Sequence, residues 1–402
     1  MILGLFGTNH IMWGDGIVAE FVINEYRGVF KRAEELYLDE KYKEAVPLLQ
    51  TVVDNDKENY AACYYLGECL YSGKGIAKDP KKAFQLFMTA ASNKVTDASY
   101  MVGMCYLEGV GIAQDSTQAV AWFTEAAKYA HPLSQYYLGL AYMTGNGITK
   151  DIPRAAQWLV HAAKQGIVEA ERDAAICYEA LSKFKGAATL YLAGAEAGDS
   201  YCQERIADCY ADGIGTLQCT ELAVHYYELA ANQGNVQAQV KMANRYAVGN
   251  GVPQSQKNAI FWWMKAANAG NAEAQNSLAE CYYSGNGVYK NVQQALSWWT
   301  KAAEAMNVTA MIHLAEYETN PDEDEVDLEQ AKYWWTKAAE AGDSYAMYQL
   351  GECFEKGLGV PAINLEDAFR WYKLASDNGN EEASEKIKKF TKSITGKIKI
   401  KK

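Results

Sequence analysis

Residues 274–303 read AQNSLAECYYSGNGVYKNVQQALSWWTKAA. Ala274, Leu278 and Ala279 fall on one side of a 3.6-residue period, and so do Ala295, Trp299, Ala302 and Ala303. Period-two alternation is absent, which argues against strands. Gly285 can take the left-handed conformation that closes a helix. Six residues later Asn291 can accept from the free N–H groups that open the next one. The stretch therefore predicts two helices joined by a Gly-x-Gly turn.

The same stretch recurs along the chain. Equivalent starts are Ala62, Ala98, Ser134, Ala170, Cys202, Ala238, Ala274, Ala310 and Ala346, spaced 36 residues apart except for 32 after Ala170; Ala383 is a degenerate tenth. A fixed period of this length marks a solenoid or a propeller, and two helices per period exclude the propeller. Gly-x-Gly falls in register at Gly73/Gly75, Gly109/Gly111, Gly145/Gly147, Gly213/Gly215, Gly249/Gly251, Gly285/Gly287 and Gly357/Gly359. A small pair recurs on the second helix, as in Ala126-Ala127 and Ala302-Ala303, with Trp122, Trp158, Tyr226, Trp262, Trp298 and Trp334 four residues before it. Asp79, Asp115, Asp151, Ser255, Asn291 and Asp327 form the cap column.

These columns, A-x-x-x-L-G-x-x-Y-x-x-G-x-G-V followed by A-x-x-W-W-x-K-A-A-x-x-G, resemble the Sel1-like repeat, a branch of the tetratricopeptide-type solenoids. The resemblance covers four fifths of the chain. It implies an all-α, right-handed superhelical solenoid of about nine helix-turn-helix repeats over 62–382. Residues 31–61 resemble a tetratricopeptide helix pair and are expected to cap the array; 1–30 form an apolar N-terminal segment, and 383–402 a basic helix or tail. Two repeats depart from the pattern. The fourth lacks Gly-x-Gly and is expected to turn at Phe184-Lys185-Gly186; the eighth carries an acidic run from Asp322 to Asp327 instead.

Composition narrows the function. The 402 residues carry 38 Lys and Arg against 50 Asp and Glu, a net charge of −12, which disfavours a protein that coats nucleic acid. No run of 18 apolar residues occurs, and the first thirty residues lack a basic start, so neither a spanning helix nor a signal peptide is expected. The expectation is a cytoplasmic protein with free thiols. Six of the 9 Cys share a column (Cys69, Cys105, Cys177, Cys209, Cys281, Cys353), as a small buried apolar residue would. The five His show no metal-ligand spacing, and the acidic run lacks the glycine of a calcium loop. No nucleophile elbow, phosphate loop or dinucleotide fingerprint is present. No cofactor, metal site or catalytic residue is expected, and the chain is read as a non-enzyme. The Trp-Trp pairs at 262, 298 and 334 are read as core.

Counting each repeat start as zero, offsets 0, 1, 4, 5 and 8 face the core and offsets 2, 6 and 9 face away. In this superfamily the second set lines a concave groove. Early in the array that set includes Tyr64, Tyr71, Tyr100, Met104, Leu107, Tyr136, Leu140 and Met143, an apolar strip suited to anchoring a partner. Late in the array it includes Glu280, Glu316, Glu352 and Glu355, suited to basic residues. The expected function is an adaptor or scaffold that binds an amphipathic or basic protein segment in the groove, with an immunity-type inhibitor of a toxin as the alternative and an enzyme with scattered residues as a remote one. Lys386 to Lys402 could touch anionic lipid, although a solvated basic end is the plainer reading.

Overall fold

The computed structural model describes residues 16–320, 326–392 and 398–400. Helices α1 (Gly16–Leu38) and α2 (Tyr42–Asn55) form the first pair. Nine pairs follow: α3 (Tyr60–Ser72) with α4 (Pro80–Ser92), α5 (Thr96–Glu108) with α6 (Ser116–Lys128), α7 (Pro132–Thr144) with α8 (Ile152–Ala163), α9 (Val168–Ala180) with α10 (Phe184–Glu196), α11 (Ser200–Asp212) with α12 (Thr220–Asn232), α13 (Val236–Val248) with α14 (Gln256–Asn268), α15 (Ala272–Ser284) with α16 (Val292–Glu304), α17 (Val308–Thr319) with α18 (Leu328–Glu340), and α19 (Ser344–Lys356) with α20 (Leu365–Asp377). A short helix α21 (Glu381–Ile387) and two strands, β1 (Phe390–Lys392) and β2 (Ile398–Ile400), complete the described chain. The architecture is all-α, a solenoid of stacked helix pairs.

The chain divides into two compact units, one of residues up to 197 with 214–216, the other of 198–213 with the residues from 217 onward. Within each, every helix packs against the next along the chain. The Ala, Ser or Cys that starts each repeat is fully buried, and the Ala pairs carried by seven of the nine second helices are buried as well, Ala163 excepted. Trp263, Trp299 and Trp335 are buried, so the second ring of each pair is core, whereas Trp298 and Trp334 are only half-buried.

The turns show why the pattern carries two glycines. Gly109 caps α5 in the left-handed conformation at φ 72°. Gly111, also left-handed, meets the start of the preceding repeat's second helix: a Cβ there would stand 2.1 Å from the Pro80 carbonyl oxygen. The first glycine ends a helix and the second lets two repeats touch. The cap column works as read, with Asp115 accepting from the backbone N–H groups of Thr117 and Gln118. A second cap column, not singled out in the sequence, opens the first helices: Asn235, Asn271 and Asn307 accept from the N–H of Ala238, Ala274 and Ala310. His131 fills that place before α7, its Nδ1 3.1 Å from the Ser134 nitrogen.

Three expectations need correction or placing. The short turn of the fourth repeat is at residues 181–183, not at Phe184-Lys185-Gly186, which form the first turn of α10. Ser182 at φ 56° supplies the left-handed residue, and Gly186 is needed because the Tyr178 ring lies where its Cβ would be. The basic C-terminal end is not carried on as a helix. α21 stops at Ile387 and a strand pair follows, Phe390 opposite Ile400, with Phe390 buried on Phe369 and Tyr372 at 5.7 and 5.9 Å. An apolar ring packed on the last repeat outweighs continued helix. α1 runs through residue 30, where the N-terminal segment was divided from the capping pair; residues 1–15 and most of the acidic run (321–325) lie outside the described residues, while Asp327 caps α18.

Candidate interaction faces

In the first unit, Tyr64, Tyr71, Tyr100, Met104, Leu107, Tyr136, Leu140 and Met143 are all half-buried. They rim the core rather than stand free of it. Tyr64 lies 6.2 Å from the buried Phe87 ring, and Tyr100 stacks on His131 at 4.9 Å. Met104 and Leu107 pack on the cluster around Phe123; Leu140 and Met143 pack on that around Leu159. The phenol tips are engaged across repeats. Tyr71 donates to Glu108 at 2.9 Å and Tyr136 to Asp173 at 3.0 Å. Burial pushes the Tyr100 hydroxyl up to about 12, and burial with the neighbouring carboxylates also raises Tyr71 and Tyr136. The phenols of this face are therefore uncharged at neutral pH, with the tips of Tyr71 and Tyr136 held by carboxylates and the ring faces and thioethers left part-open. His131 also meets Asp97 at 3.3 Å, which holds that carboxyl below its usual range.

In the second unit Glu280 and Glu316 are exposed, while Glu352 and Glu355 are half-buried. The last two are already occupied. Lys386 of α21 reaches Glu352 at 2.6 Å and Glu355 at 2.8 Å. Burial alone would raise the Glu352 carboxyl; Lys356 and Lys386 outweigh it and hold it below its usual value. Tyr372 donates to Glu355, and Lys386 lies 5.4 Å from the centre of the Tyr372 ring. Lys386, the first lysine of the basic end, thus turns back onto the protein rather than toward solvent.

Glu280 and Glu316 are arranged differently. Nε2 of His313 is 3.3 Å from Glu280 and Nδ1 is 3.8 Å from Glu316. The contact with His313 lowers the Glu280 pKa, against burial. Tyr345 donates to Glu316 at 3.2 Å. Between them opens a cleft of about 710 Å³ walled by Tyr283, Trp299 and Tyr317.

The sequence reading missed a correlation between the two helices of a repeat. Where the buried column of the second helix is Phe123 or Leu159, the offset-6 residue of the first helix is Met104 or Leu140. Where it is Tyr227 or Trp263, that residue is Asp208 or Asn244, and the ring's polar tip donates to it. A buried Tyr or Trp needs a hydrogen-bond partner, and in these four repeats the two columns vary together; Phe87 beside Glu68 and Tyr191 beside Ile176 depart from it, the Tyr191 hydroxyl donating to Glu179 instead. The signal was present in the columns, provided that the two helices were compared.

All nine cysteines are free, and only Cys219 is not buried. Among the described residues no group of side chains could hold a metal ion, and no helix is long and apolar enough to cross a membrane.

Comparison with known proteins agrees with this geometry. The Sel1 repeat model matches residues 61–94, 96–128, 132–167, 200–235, 236–271, 272–305, 308–343 and 344–380. The α9–α10 pair, which lost the Gly-x-Gly, is not among the matched segments yet folds as a helix pair. Among solved structures, c5321, a protective antigen present in uropathogenic Escherichia coli strains and displaying an SLR fold, is similar at 26% identity with a TM-score of 0.68, over 85% of this chain and 81% of that one. A Sel1 repeat protein from Oxalobacter formigenes is similar in fold at 24% identity and a TM-score of 0.53, over 88% of this chain and 93% of that one. No sequence among the curated proteins matches the chain.

Proposed function

The chain belongs to the Sel1 repeat family, whose repeats generally mediate protein–protein interaction, and from that premise we propose that it is a non-catalytic adaptor holding a segment of a partner protein on its first-helix face. The observation that carries this reading is the strip from Tyr64 to Met143. Eight half-buried residues there offer apolar surface, and the phenols of Tyr71 and Tyr136 already have carboxylate partners. A partner's apolar side chains can cover such a strip without leaving polar groups unpaired. The rings are held by core packing, so little order is lost on binding. Exposed Glu280 and Glu316 would favour basic residues in the partner, and a net charge of −12 would speed encounter with a basic segment. The free, mostly buried thiols support a reducing compartment, and we place the protein in the cytoplasm on that ground.

The test is affinity capture from native lysate with wild type and with Tyr100→Ala/Tyr136→Ala. Loss of a specific partner from the double variant, with its helical content intact, is the expected result. The same partner held equally well by both proteins would end this reading.

A further inference from the structure

Three interfaces between successive repeats of the second unit set a basic side chain of the later repeat against a carboxylate and an aromatic ring of the earlier one. In two of them the base is a lysine. Lys241 bridges Glu204 and Asp208 and lies 5.4 Å from the centre of the Tyr227 ring. Lys386 bridges Glu352 and Glu355 and lies 5.4 Å from that of Tyr372. Each ammonium is held between two carboxylates and over an aromatic face, two attractions that reinforce each other. At the third interface the base is His313, the carboxylate of the earlier repeat is Glu280 and the ring is Trp299, while the second carboxylate, Glu316, comes from His313's own helix. An imidazole is shorter than a lysine side chain and carries charge only when protonated. The space a lysine would fill is the cleft of about 710 Å³ walled by Tyr283, Trp299 and Tyr317.

A second observation concerns Trp299. It is 3% exposed, and its Nε1 has no hydrogen-bond partner. One repeat earlier, Trp263 Nε1 donates to Asn244 at 3.0 Å. The residue in the place of Asn244 is Glu280, whose carboxylate is turned instead to His313 and to Asn276, the latter at 2.7 Å. The indole N–H is thus without the partner that Trp263 finds in Asn244, an arrangement a buried donor normally avoids.

We propose that this cleft receives a lysine or arginine side chain of the bound partner, its cation between Glu280 and Glu316 and its stem against Tyr283 and Trp299. A cation that draws Glu280 away from His313 returns a carboxylate oxygen to the Trp299 N–H. The inference rests on the groove reading above and names the chemistry of one position in the bound segment.

The test uses the whole protein and small probes: N-acetyl-lysine methylamide, N-acetyl-arginine methylamide, the norleucine analogue as an uncharged control, and 1,5-diaminopentane. Binding is read from the imidazole resonance that disappears in His313→Asn. The lysine or arginine probe should shift it saturably, and the norleucine analogue should not. Glu280→Gln/Glu316→Gln, two exposed positions, should weaken the response by about tenfold or more. His313→Lys places a lysine where Lys241 and Lys386 stand; having no imidazole to follow, it is titrated by calorimetry beside wild type, and the heat of lysine-probe binding should be lost, retained binding overturning the proposal. No shift, an equal shift with norleucine, or a shift unchanged in Glu280→Gln/Glu316→Gln overturns the proposal. Tighter saturation by the diamine assigns the cleft to a free polyamine and overturns it as well. These probes carry no apolar anchor, so their failure tells against this cleft alone. Unchanged capture by Tyr100→Ala/Tyr136→Ala tells against the groove reading alone.

Discussion

Gly111 and Cys105 show how single positions serve the array. Gly111 has φ 77°, and a methyl group there would collide with the Pro80 carbonyl at 2.1 Å. Gly111→Ala is therefore expected to lower the unfolding free energy by about 2 kcal/mol or more, measured by urea denaturation. Cys105 is fully buried, and burial pushes its thiol up to about 12. Inert thiols of this kind react only after unfolding. A thiol reagent should modify a single cysteine, Cys219, in the native protein and all nine in denaturant; several fast-reacting thiols in the native state would contradict the burial described. Both glycine columns and the cysteine column were legible in the sequence, because each repeats at one register. What the second glycine touches was not, since Pro80 belongs to the preceding repeat.

Among the helices, ends and interfaces set the energetics. The Asp115 side chain satisfies two N–H groups at the start of α6, so Asp115→Ala should cost about 1 kcal/mol, read from the same urea transition. The α19–α21 contact gives a pH prediction. Glu352 has a folded-state pKa below its usual value because Lys356 and Lys386 outweigh burial. Its contribution is fully present above the unfolded carboxyl's pKa, near 4.3, and is lost as pH falls through the lower folded value. Between neutral pH and pH of about 3, wild type should lose more stability than Glu352→Gln. An equal loss in the two proteins would show that the lysines do not hold this carboxylate. The second-helix caps were readable because Asp, Asn or Ser recurs six residues after a glycine. The first-helix caps at Asn235, Asn271 and Asn307 repeat just as strictly, but three residues ahead of the chosen start. The turn at residues 181–183 was misplaced because deleting Gly-x-Gly removes the very marker that locates it.

As a whole, the chain is an array in which each helix packs against the next within its unit, so stability is a sum over neighbours rather than the property of one core. Leu278 is fully buried in α15, and Leu278→Ala should cost about 2–5 kcal/mol. Amide exchange should rise first in α14–α17 and last in α20; a uniform rise through the second unit would argue for one cooperative block instead. The repeat period, the helix pairs, the buried Ala columns and the place of each cap could be stated without coordinates, because they depend on groups a few residues apart and recur in register. Folding alone settled the half-burial of the Tyr64–Met143 strip, the capture of Glu352 and Glu355 by Lys386, and the cleft beside His313. The contacts among them that cross repeats join side chains 31 to 37 residues apart, as Tyr136 joins Asp173 and Lys386 joins Glu355. Whether such atoms meet depends on how one repeat is rotated against the next, and no local spacing encodes that rotation.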